Sequence, residues 1–479
     1  MLQVDRASPT PLYRQIYAGY RDAIVERRLR AGQRLPSTRG LAAELRISRI
    51  PVLNAFEQLL AEGYFESRVG SGTFVAAALS DEPQAADSRE GRGRAAPPGA
   101  RKVSRHALAR EPEPWLGGPG AFRVSQPALE EFPLRVWSRL VARHSRELRQ
   151  DQLGYGDPMG HRPFRESIAA YLRTARAVRC EPEQVMVVSG SQQALSLCAR
   201  VLLDPGSRVL VEDPGYGGAR DALSVAGARL VPVPVDAEGL DVAAGIASSR
   251  RARAAYVTPS HQYPLGATMS ASRRLQLLGW AESVGAWIIE DDYDSEYRYE
   301  SQPIASLQGL DRDARVLYIG SLSKVLFPAL RVGYLVVPAD LVPRFAAARE
   351  ANDIFPSTFP QAVLADFIDE GHFARHLRKM RQLYRERRTA LVEAIQTEFG
   401  TRLRVLGGEA GLHLVATLPK GLRDRPISLR AAQDRLWVMP LSSCYRGAAS
   451  RQGLVLGFGG TTTAQMPGAV RALRRAIRL

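Results

Sequence analysis

The chain has 479 residues, 45% of them hydrophobic, and a formal net charge of +16 at pH 7. This length predicts two or three domains, and the apolar content indicates a globular protein rather than a disordered one. No apolar run is long enough to span a membrane, and the N-terminus lacks the apolar segment of a secretory signal, so we expect a cytoplasmic protein. Three widely spaced cysteines favour reduced thiols over a disulfide framework or a metal site.

The first 75 residues predict three helices and a hairpin. Apolar residues recur at helical spacing over residues 11–30, and Ser37 is a plausible cap for a second helix. A third helix follows Ile47 and runs to Leu60, and the glycine-bearing segment 63–75 predicts a two-stranded wing. This order describes a winged helix-turn-helix, whose third helix enters the major groove by its N-terminus.

Six residues of this head are candidate DNA contacts. They are Arg39, Ser48, Arg49, Arg68, Gly70 and Gly72. The serine and arginine that begin the third helix can bind phosphate and read guanine, and the arginine of the second helix is placed for a phosphate. The two glycines would let the wing backbone approach the minor groove, with the wing arginine alongside. The alternative is a protein-interaction module whose arginines are only solvated.

Residues 77–119 differ from both flanking regions in composition. They are rich in proline, glycine, arginine and alanine and have no hydrophobic period, so they predict a flexible linker between a head (residues 1–76) and a larger domain (residues 120–479). Residues 1–75 contain 11 arginines and 7 acids, so only +4 of the charge lies there. The remaining basic surface either adds phosphate contacts or reflects an arginine-rich proteome.

The larger domain predicts a mainly parallel α/β fold. Apolar segments alternate with helix-like ones at residues 185–188, 208–211, 230–235, 254–257, 287–289, 316–319 and 332–337. Continuous valine, isoleucine and leucine runs indicate a sheet buried on both faces. Ligands of such sheets collect beyond the carboxyl ends of the strands, where the candidate site residues lie.

Two of these strands end in residues with a shared chemistry. The strand at 316–319 runs into two serines and Lys324, and the strand at 287–289 runs into Asp291 and Tyr293. An acid for a pyridinium nitrogen and a lysine for an aldehyde are the pairing that pyridoxal phosphate (PLP) requires. The alternatives are an ordinary surface lysine and, for the acidic run 290–294, a Mg²⁺ site.

From about residue 121 onward the chain resembles the fold-type I aminotransferases, and its first 75 residues resemble the GntR-type winged helix. The head carries the pattern Leu-Pro-Ser-x-Arg, then Ser-Arg, then Gly-x-Gly-Thr-Phe-Val. Together the two parts resemble the MocR family of bacterial regulators, to which GABA-responsive and PLP-responsive regulators belong. The resemblance implies a homodimer and a small α+β domain, roughly residues 341–479 with 122–149, that closes on bound ligand.

The resemblance also implies roles for individual residues. Lys324 would form the Schiff base with PLP, ionised Asp291 would pair with the pyridine nitrogen, and Tyr293 would bind the phenolic oxygen. The other residues that it implies for the cofactor are Gly190, Ser191, Gln192, Ser321, Ser323 and Arg331 at the phosphate, Tyr216 on the ring, and Tyr155 across the dimer interface.

The chain departs from the family pattern at four places. In the loop 258–266, which replaces the usual aminotransferase Asn-Pro-x-Gly, Tyr263 stands where an asparagine would donate to the cofactor's phenolic oxygen, so that oxygen is left chiefly to Tyr293. In the head, Ile50 and Pro51 stand where the family usually has a polar residue and a threonine. The apolar side chain of Ile50 could read a base only by contact with a thymine methyl group. Gly218 and Ser443 stand where relatives have arginines that clamp a carboxylate, although Arg220 and Arg446 are close in sequence. A carboxylate binds poorly without a guanidinium, which favours PLP itself, an amine or a sulfonate over GABA as the effector.

These inferences predict a PLP-binding, DNA-binding transcriptional regulator that senses PLP itself or an amine or amino-acid-like effector. Its expected partners are operator DNA, the small-molecule effector and a second copy of the chain, with no membrane and no metal. Physiological turnover is not expected, and residual aminotransferase-type chemistry stays open. The alternatives are a PLP-dependent aminotransferase with a fused DNA-binding head and a DNA-binding module on a scaffold without cofactor.

Overall fold

The computed structural model describes residues 4–68, 70–77, 113, 115, 117–148, 150–299 and 304–478. The chain folds as two units, residues 1–101 and residues 102–479. Most of the predicted linker, residues 77–119, lies outside the described residues. Every helix in the described part of the chain is too short or too polar to cross a lipid bilayer.

The first unit is a winged helix-turn-helix, as predicted. It consists of α1 (Leu12–Val25), α2 (Thr38–Glu44), α3 (Arg49–Ala61), β1 (Phe65–Arg68) and β2 (Gly72–Val75). The rings of Tyr20, Phe56 and Phe65 pack edge to face in its core, with centroids 5.0–5.7 Å apart. The predicted extent of the first helix, to residue 30, is wrong. The helix ends at Val25, because Arg27 adopts a left-handed φ of 61° and the chain reverses.

The second unit is built on an eight-stranded sheet with the order β3-β10-β9-β8-β7-β4-β5-β6. The strands are β3 (Val185–Val188), β4 (Arg208–Asp213), β5 (Arg229–Asp236), β6 (Gly239–Leu240), β7 (Ala254–Val257), β8 (Trp287–Asp292), β9 (Val316–Ser321) and β10 (Gly333–Val336). The five strands β5, β4, β7, β8 and β9 are parallel, whereas β10 is antiparallel to both of its neighbours. The prediction of a mainly parallel α/β sheet is confirmed.

Helices cover both faces of this sheet. They are α5 (Arg162–Arg176), α6 (Ser191–Leu202), α7 (Gly217–Val225), α8 (Val242–Ser248), α9 (Ala271–Val284) and α10 (Val342–Asp353), and α4 (Leu134–Arg146) precedes them in the chain. The consecutive residues Ile288 and Ile289 of β8 are both fully buried, in separate clusters on opposite faces. Ile288 packs with Leu277 of α9, and Ile289 lies in the cluster of Leu195 of α6. Double coverage explains why these strands have continuous apolar runs.

A smaller antiparallel sheet follows. Its strands are β11 (Arg404–Leu406), β12 (His413–Thr417), β13 (Met439–Pro440) and β14 (Gly453–Gly457), in the order β11-β12-β14-β13. The accompanying helices are α11 (Phe359–Asp369), α12 (His372–Phe399), α13 (Asp424–Gln433) and α14 (Met466–Ile477). This α+β part agrees with the prediction for the C-terminal region. Cys180, Cys198 and Cys444 are buried free thiols.

Candidate functional site

A cavity lies at the carboxyl ends of the parallel strands. The described residues that line it are Ser125, Ser191, Tyr216, Tyr256, Thr258, Tyr263, Asp291, Tyr293, Ser321 and Lys324. Six of these ten are candidates from the sequence. Because β8 pairs with β9 in parallel, the polar residues at the ends of these two strands reach the same edge of the sheet.

Lys324 lies in the turn that follows β9. Burial lowers the pKa of its ammonium group, and the nearby carboxylates of Asp294 and Asp291 act in the opposite direction. A lowered pKa raises the fraction of neutral amine at a given pH. The neutral amine is the form of lysine that attacks an aldehyde.

Asp291 is a buried acid with one oxygen satisfied and one open. Its Oδ2 accepts a hydrogen bond of 2.8 Å from the hydroxyl of Tyr256, whereas the described residues give Oδ1 no donor. Burial raises the pKa of this carboxyl group to about 7, with the Tyr256 hydrogen bond opposing the rise. A buried acceptor without a donor is costly, so this oxygen suits a cationic N–H group in the cavity.

The other acids of this run face different partners. Glu290 accepts from the backbone N–H groups of Leu307 and Gln308, both at 2.8 Å. Asp292 forms a buried ion pair of 2.8 Å with Arg176 and accepts from a tyrosine hydroxyl. The carboxylates of residues 290–292 therefore do not converge on one point, which argues against the alternative of a Mg²⁺ site in this run.

One end of the cavity is suited to a phosphate. Helix α6 begins at Ser191, and helix N-termini present backbone N–H groups and the positive end of the helix dipole. Gly190, just before the helix, has a φ of 103°, and a Cβ there would lie 3.2 Å from Nη2 of Arg331. Arg331 donates to the carbonyl oxygen of Ser189, so its guanidinium lies at this helix terminus.

The two serines after β9 have different places. Ser321 lines the cavity, and its Oγ accepts a hydrogen bond of 3.2 Å from the backbone N–H of Ser323. Ser323 is buried and is not among the lining residues. The backbone of Ser323 thus helps to hold the hydroxyl of Ser321 at the cavity wall.

Tyr216 is fixed by its neighbours. Gln192 donates a hydrogen bond of 3.0 Å from its side-chain amide to the hydroxyl of Tyr216. The ring of Tyr216 packs edge to face on Tyr263, with centroids 5.6 Å apart. At Gly218 a Cβ would lie 2.1 Å from the amide nitrogen of Gln192, so a side chain at this position would have to displace the end of Gln192.

Arg220, which is close in sequence to the clamp position at Gly218, is a neighbour in space of Ser443, which occupies the other clamp position. Nη2 of Arg220 donates to the carbonyl oxygen of Ser443 at 3.1 Å. Arg446 is exposed, and its backbone N–H donates to Asp213. Of the two arginines that could replace a carboxylate clamp, Arg220 is thus the one whose guanidinium contacts Ser443.

Tyr155 lies apart from this cavity. Its side chain is 86% exposed, and its ring is 5.9 Å from the ring of Phe355. An exposed aromatic side chain of this size is available for a second subunit. The prediction that it crosses a dimer interface stays a prediction.

In the head, the residues at the start of α3 are exposed. Ser48 is the N-cap of α3 but makes no capping hydrogen bond with its side chain, so its hydroxyl is available to a phosphate. Nε of Arg49 donates to the hydroxyl of Thr38 at 3.2 Å, which holds the guanidinium between α2 and α3. Arg39 is also exposed, and Ile50 has 66% of its surface exposed beside them.

In the wing, Gly70 and Gly72 have φ values of +77° and +107°. Arg68 donates to Glu66 and lies 4.6 Å from the centroid of the Phe74 ring. This pairing offsets the charge of Arg68, so the wing arginine presents less free charge to a phosphate than the sequence suggested.

Sequence reasoning missed Tyr256, Ser125 and His261. Tyr256 looks like a packing residue inside an apolar strand, yet it is the donor that holds Asp291. Ser125 lines the cavity with a left-handed φ of 63°, which no local sequence signal indicates. His261 touches the hydroxyl of Tyr293. Its position in a loop rich in prolines and polar residues is the only signal that could have drawn attention to it.

Comparisons with known proteins agree with this two-part fold. Residues 12–75 match the family described as "Bacterial regulatory proteins, gntR family", and residues 121–472 match "Aminotransferase class I and II". The chain is 41% identical to the probable rhizopine catabolism regulatory protein MocR of Rhizobium meliloti, over 99% of this chain and 96% of that protein. It is 32% identical to the pyridoxine biosynthesis transcriptional regulator PdxR of Corynebacterium glutamicum, over 94% of this chain and 92% of that one.

Among solved structures, the α-aminoadipate aminotransferase LysN of Thermus thermophilus, complexed with N-(5'-phosphopyridoxyl)-L-leucine, is similar with a TM-score of 0.69 and 31% identity. The match covers 74% of this chain and 91% of LysN. The winged-helix head, the aminotransferase fold and near full-length similarity to MocR occur together in one polypeptide. The chain therefore belongs to the MocR family, in which a GntR-type head precedes a class I and II aminotransferase domain.

Proposed function

We propose that this protein is a cytoplasmic, homodimeric transcriptional regulator that binds operator DNA through residues 1–76 and PLP through residues 120–479. The observation that carries the proposal is one cavity lined by both Lys324 and Asp291, whose buried Oδ1 has no donor among the described residues, in a chain that also has a GntR-type head. The relatives named as regulators over nearly the whole chain support the same conclusion. Residues 77–119 would be the tether.

The residues of the cavity fit PLP. Asp291 offers a buried carboxylate oxygen to a pyridinium N–H, and Arg331 with the N-terminus of α6 offers charge and N–H groups to a phosphate. Tyr216 offers a ring face and Tyr293 a phenol. When bound, the cofactor supplies an aldehyde carbon that reacts with amines. Lys324, whose pKa is lowered by burial, supplies the resident amine.

The head would bind DNA by the exposed start of α3. Arg49, held by Thr38, would read a base edge, and Ser48 and Arg39 would bind phosphates. The exposed side chain of Ile50 would contact a thymine methyl group. The glycines of the wing would allow its backbone close to the minor groove.

The effector would be PLP itself or a ligand with an amine. An arginine at position 218, as in GABA-responsive relatives, would have to displace the side-chain ends of Gln192 and Tyr216, and Arg220 donates to the carbonyl oxygen of Ser443. Both features favour a ligand that does not depend on a two-point carboxylate clamp. Tyr155 would complete the site of the partner subunit.

The experiment that tests the cofactor assignment is reductive trapping. The chain has four lysines, Lys102, Lys324, Lys379 and Lys420. Borohydride treatment of the protein with PLP, followed by peptide mapping, should place the label on Lys324. The Lys324→Ala variant should lose the label, and the matched Lys420→Ala variant should keep it. Label on another lysine, or none, would refute the assignment.

The second candidate function is an aminotransferase with an incidental DNA-binding head. The cavity is also compatible with an aminotransferase, because a regulator and an aminotransferase would use the same lysine and the same acid, Lys324 and Asp291. It predicts rapid multiple turnover with amino and keto acids, whereas a sensor predicts slow or absent turnover.

A further inference from the structure

Behind the phenol of Tyr293 lies a buried imidazole–carboxylate pair. Nδ1 of His261 is 2.9 Å from Oδ1 of Asp294, and each side chain is 2% exposed. The hydroxyl of Tyr293 lies 3.1 Å from the same Nδ1 and donates to the carbonyl oxygen of His261 at 3.0 Å. The three side chains form a chain of contacts that runs from Asp294 to the wall of the cavity.

The two ring nitrogens of His261 face different oxygens. Nδ1 lies 2.9 Å from Oδ1 of Asp294, whose Oδ2 accepts the backbone N–H of Leu412 at 3.2 Å, and Nε2 lies 3.4 Å from the carbonyl oxygen of Gly407. We take Nδ1 as the donor to Asp294, because this contact is the shorter of the two. The oxygen of Tyr293 is within reach of the same N–H. Its O–H donates to the carbonyl oxygen of His261 in this structure, and rotation of this hydroxyl would turn the O–H toward a bound cofactor.

The backbone at Gly411 lies close to the pair. Gly411 has a φ of +68°, and a Cβ there would lie 2.2 Å from Oδ2 of Asp294 and 2.3 Å from Cε1 of His261. The main chain that precedes β12 thus closes directly over the pair. A buried polar pair enclosed by backbone holds one geometry.

We propose that His261, held by Asp294, is a positioning residue that orients the Tyr293 phenol and strengthens it as a donor to the cofactor's phenolic oxygen. The inference rests on the proposed function, because it concerns the same PLP site. Donation to the oxygen of a hydroxyl polarises its O–H bond, and hydrogen bonds in a chain reinforce one another. A stronger donor at the phenolic oxygen stabilises its negative charge and so lowers the proton affinity of the cofactor's linkage to Lys324.

Other titratable groups surround the pair. They are Lys324, Asp291, His413, Arg298, Tyr263, Tyr297 and Tyr299. Burial lowers the pKa of His413 to about 4, so this imidazole is neutral near pH 7. His413 lies beside His261, with ring centroids 5.1 Å apart, but its Nε2 contacts the carbonyl oxygen of Pro264 at 3.1 Å rather than Tyr293. It is therefore a matched control.

The ligating atoms of His261, Asp294 and His413 also lie within 4.8 Å of one another, as in a metal cluster. Two of the hydrogen bonds already described occupy Nδ1 of His261 and Nε2 of His413. Adding a chelator in the experiment below distinguishes a hydrogen-bonded pair from a metal site.

The test measures the pH midpoint of the visible absorption change of the PLP-loaded protein, which reports the proton on the linkage to Lys324. His261→Phe should move this midpoint upward by about one unit, a tenfold change in proton affinity, as expected for loss of one hydrogen bond. Asp294→Asn should move it in the same direction by less. His413→Phe and added EDTA should leave it unchanged.

A double variant shows whether His261 acts through Tyr293. The shift caused by His261→Phe should disappear when Tyr293 is already phenylalanine, because the phenol that carries the effect is gone. The inference would be overturned if His261→Phe caused an equal shift in the wild-type and Tyr293→Phe backgrounds, or if neither His261→Phe nor Asp294→Asn caused a shift. In either case a visible band with PLP would still support the proposed function. A midpoint that responds to EDTA would also overturn it, in favour of a metal. A wild-type protein that shows no visible band with PLP would refute the proposed function itself.

Discussion

The open oxygen of Asp291 gives the cofactor-free protein a cost in stability that PLP should remove. Burial raises the pKa of this carboxyl group from 3.8 to about 7, a difference of about three units. At 1.36 kcal/mol per unit, ionised Asp291 destabilises the empty folded domain by about 4 kcal/mol. Asp291→Asn removes the charge and nearly keeps the shape, so the empty variant should be more stable than the wild type at pH 8.

The sign follows from proton linkage. An acid whose folded pKa lies above its unfolded value binds its proton more tightly in the folded state, so the folded state loses relative stability as pH rises from about 4 to about 7. The stability advantage of Asp291→Asn should therefore be small at pH 4, grow across this window and level off above pH 7. Denaturant unfolding of the PLP-free protein at several pH values measures it.

PLP should reverse the order of the two proteins. The pyridinium N–H would satisfy the open oxygen in the wild type, whereas an asparagine offers it no charge, so the wild type should gain more stability from PLP than the variant. Glu290→Gln is the control for cofactor binding, because Glu290 precedes Asp291 in β8 but faces the backbone of Leu307 and Gln308. With PLP, this variant should keep the visible absorption band of the wild-type protein. A stability difference between Asp291→Asn and wild type that stays constant from pH 4 to 8 would refute the reasoning.

Two further predictions concern charged contacts. In a fluorescence-anisotropy titration with a duplex selected from a random pool, Arg49→Ala should cost about 1–3 kcal/mol of DNA affinity and relax the base preference of the head. The control is Arg28→Ala, which removes an exposed arginine paired with Glu26 and should change the DNA affinity little. Uniform loss across sequences would make Arg49 a phosphate contact. Arg331→Ala should weaken PLP retention at least tenfold in equilibrium dialysis and leave DNA affinity without ligand unchanged; undiminished retention would remove Arg331 from the phosphate site.

Much of the fold could be predicted because local patterns carry it. Continuous apolar runs marked the strands, since residues such as Ile288 and Ile289 are buried on opposite faces. Lys324 and Asp291 could be identified because each follows or ends such a run. Their joint presence in the cavity then follows from the rule that parallel strands end at the same edge of a sheet.

The rest depends on which elements become neighbours, which sequence order does not specify. Tyr256 holds Asp291 only because β7 lies beside β8, and β10 inserts between β3 and β9 against the direction of both. The contact of His261 with Asp294 joins residues 33 positions apart across a loop and a strand end. Such tertiary hydrogen bonds leave no periodic trace in the sequence.

The central claim is that ligand binding at Lys324 is coupled to DNA binding by the head. The most direct test is the affinity of the full chain for a selected duplex, measured with and without PLP and with PLP plus candidate amines. We predict that ligand changes this affinity by about 5–150-fold, that the duplex changes ligand affinity by the same factor, and that Lys324→Ala abolishes the response to amines. Equal DNA affinity under all of these conditions, together with rapid transamination, would contradict the account and favour the enzyme.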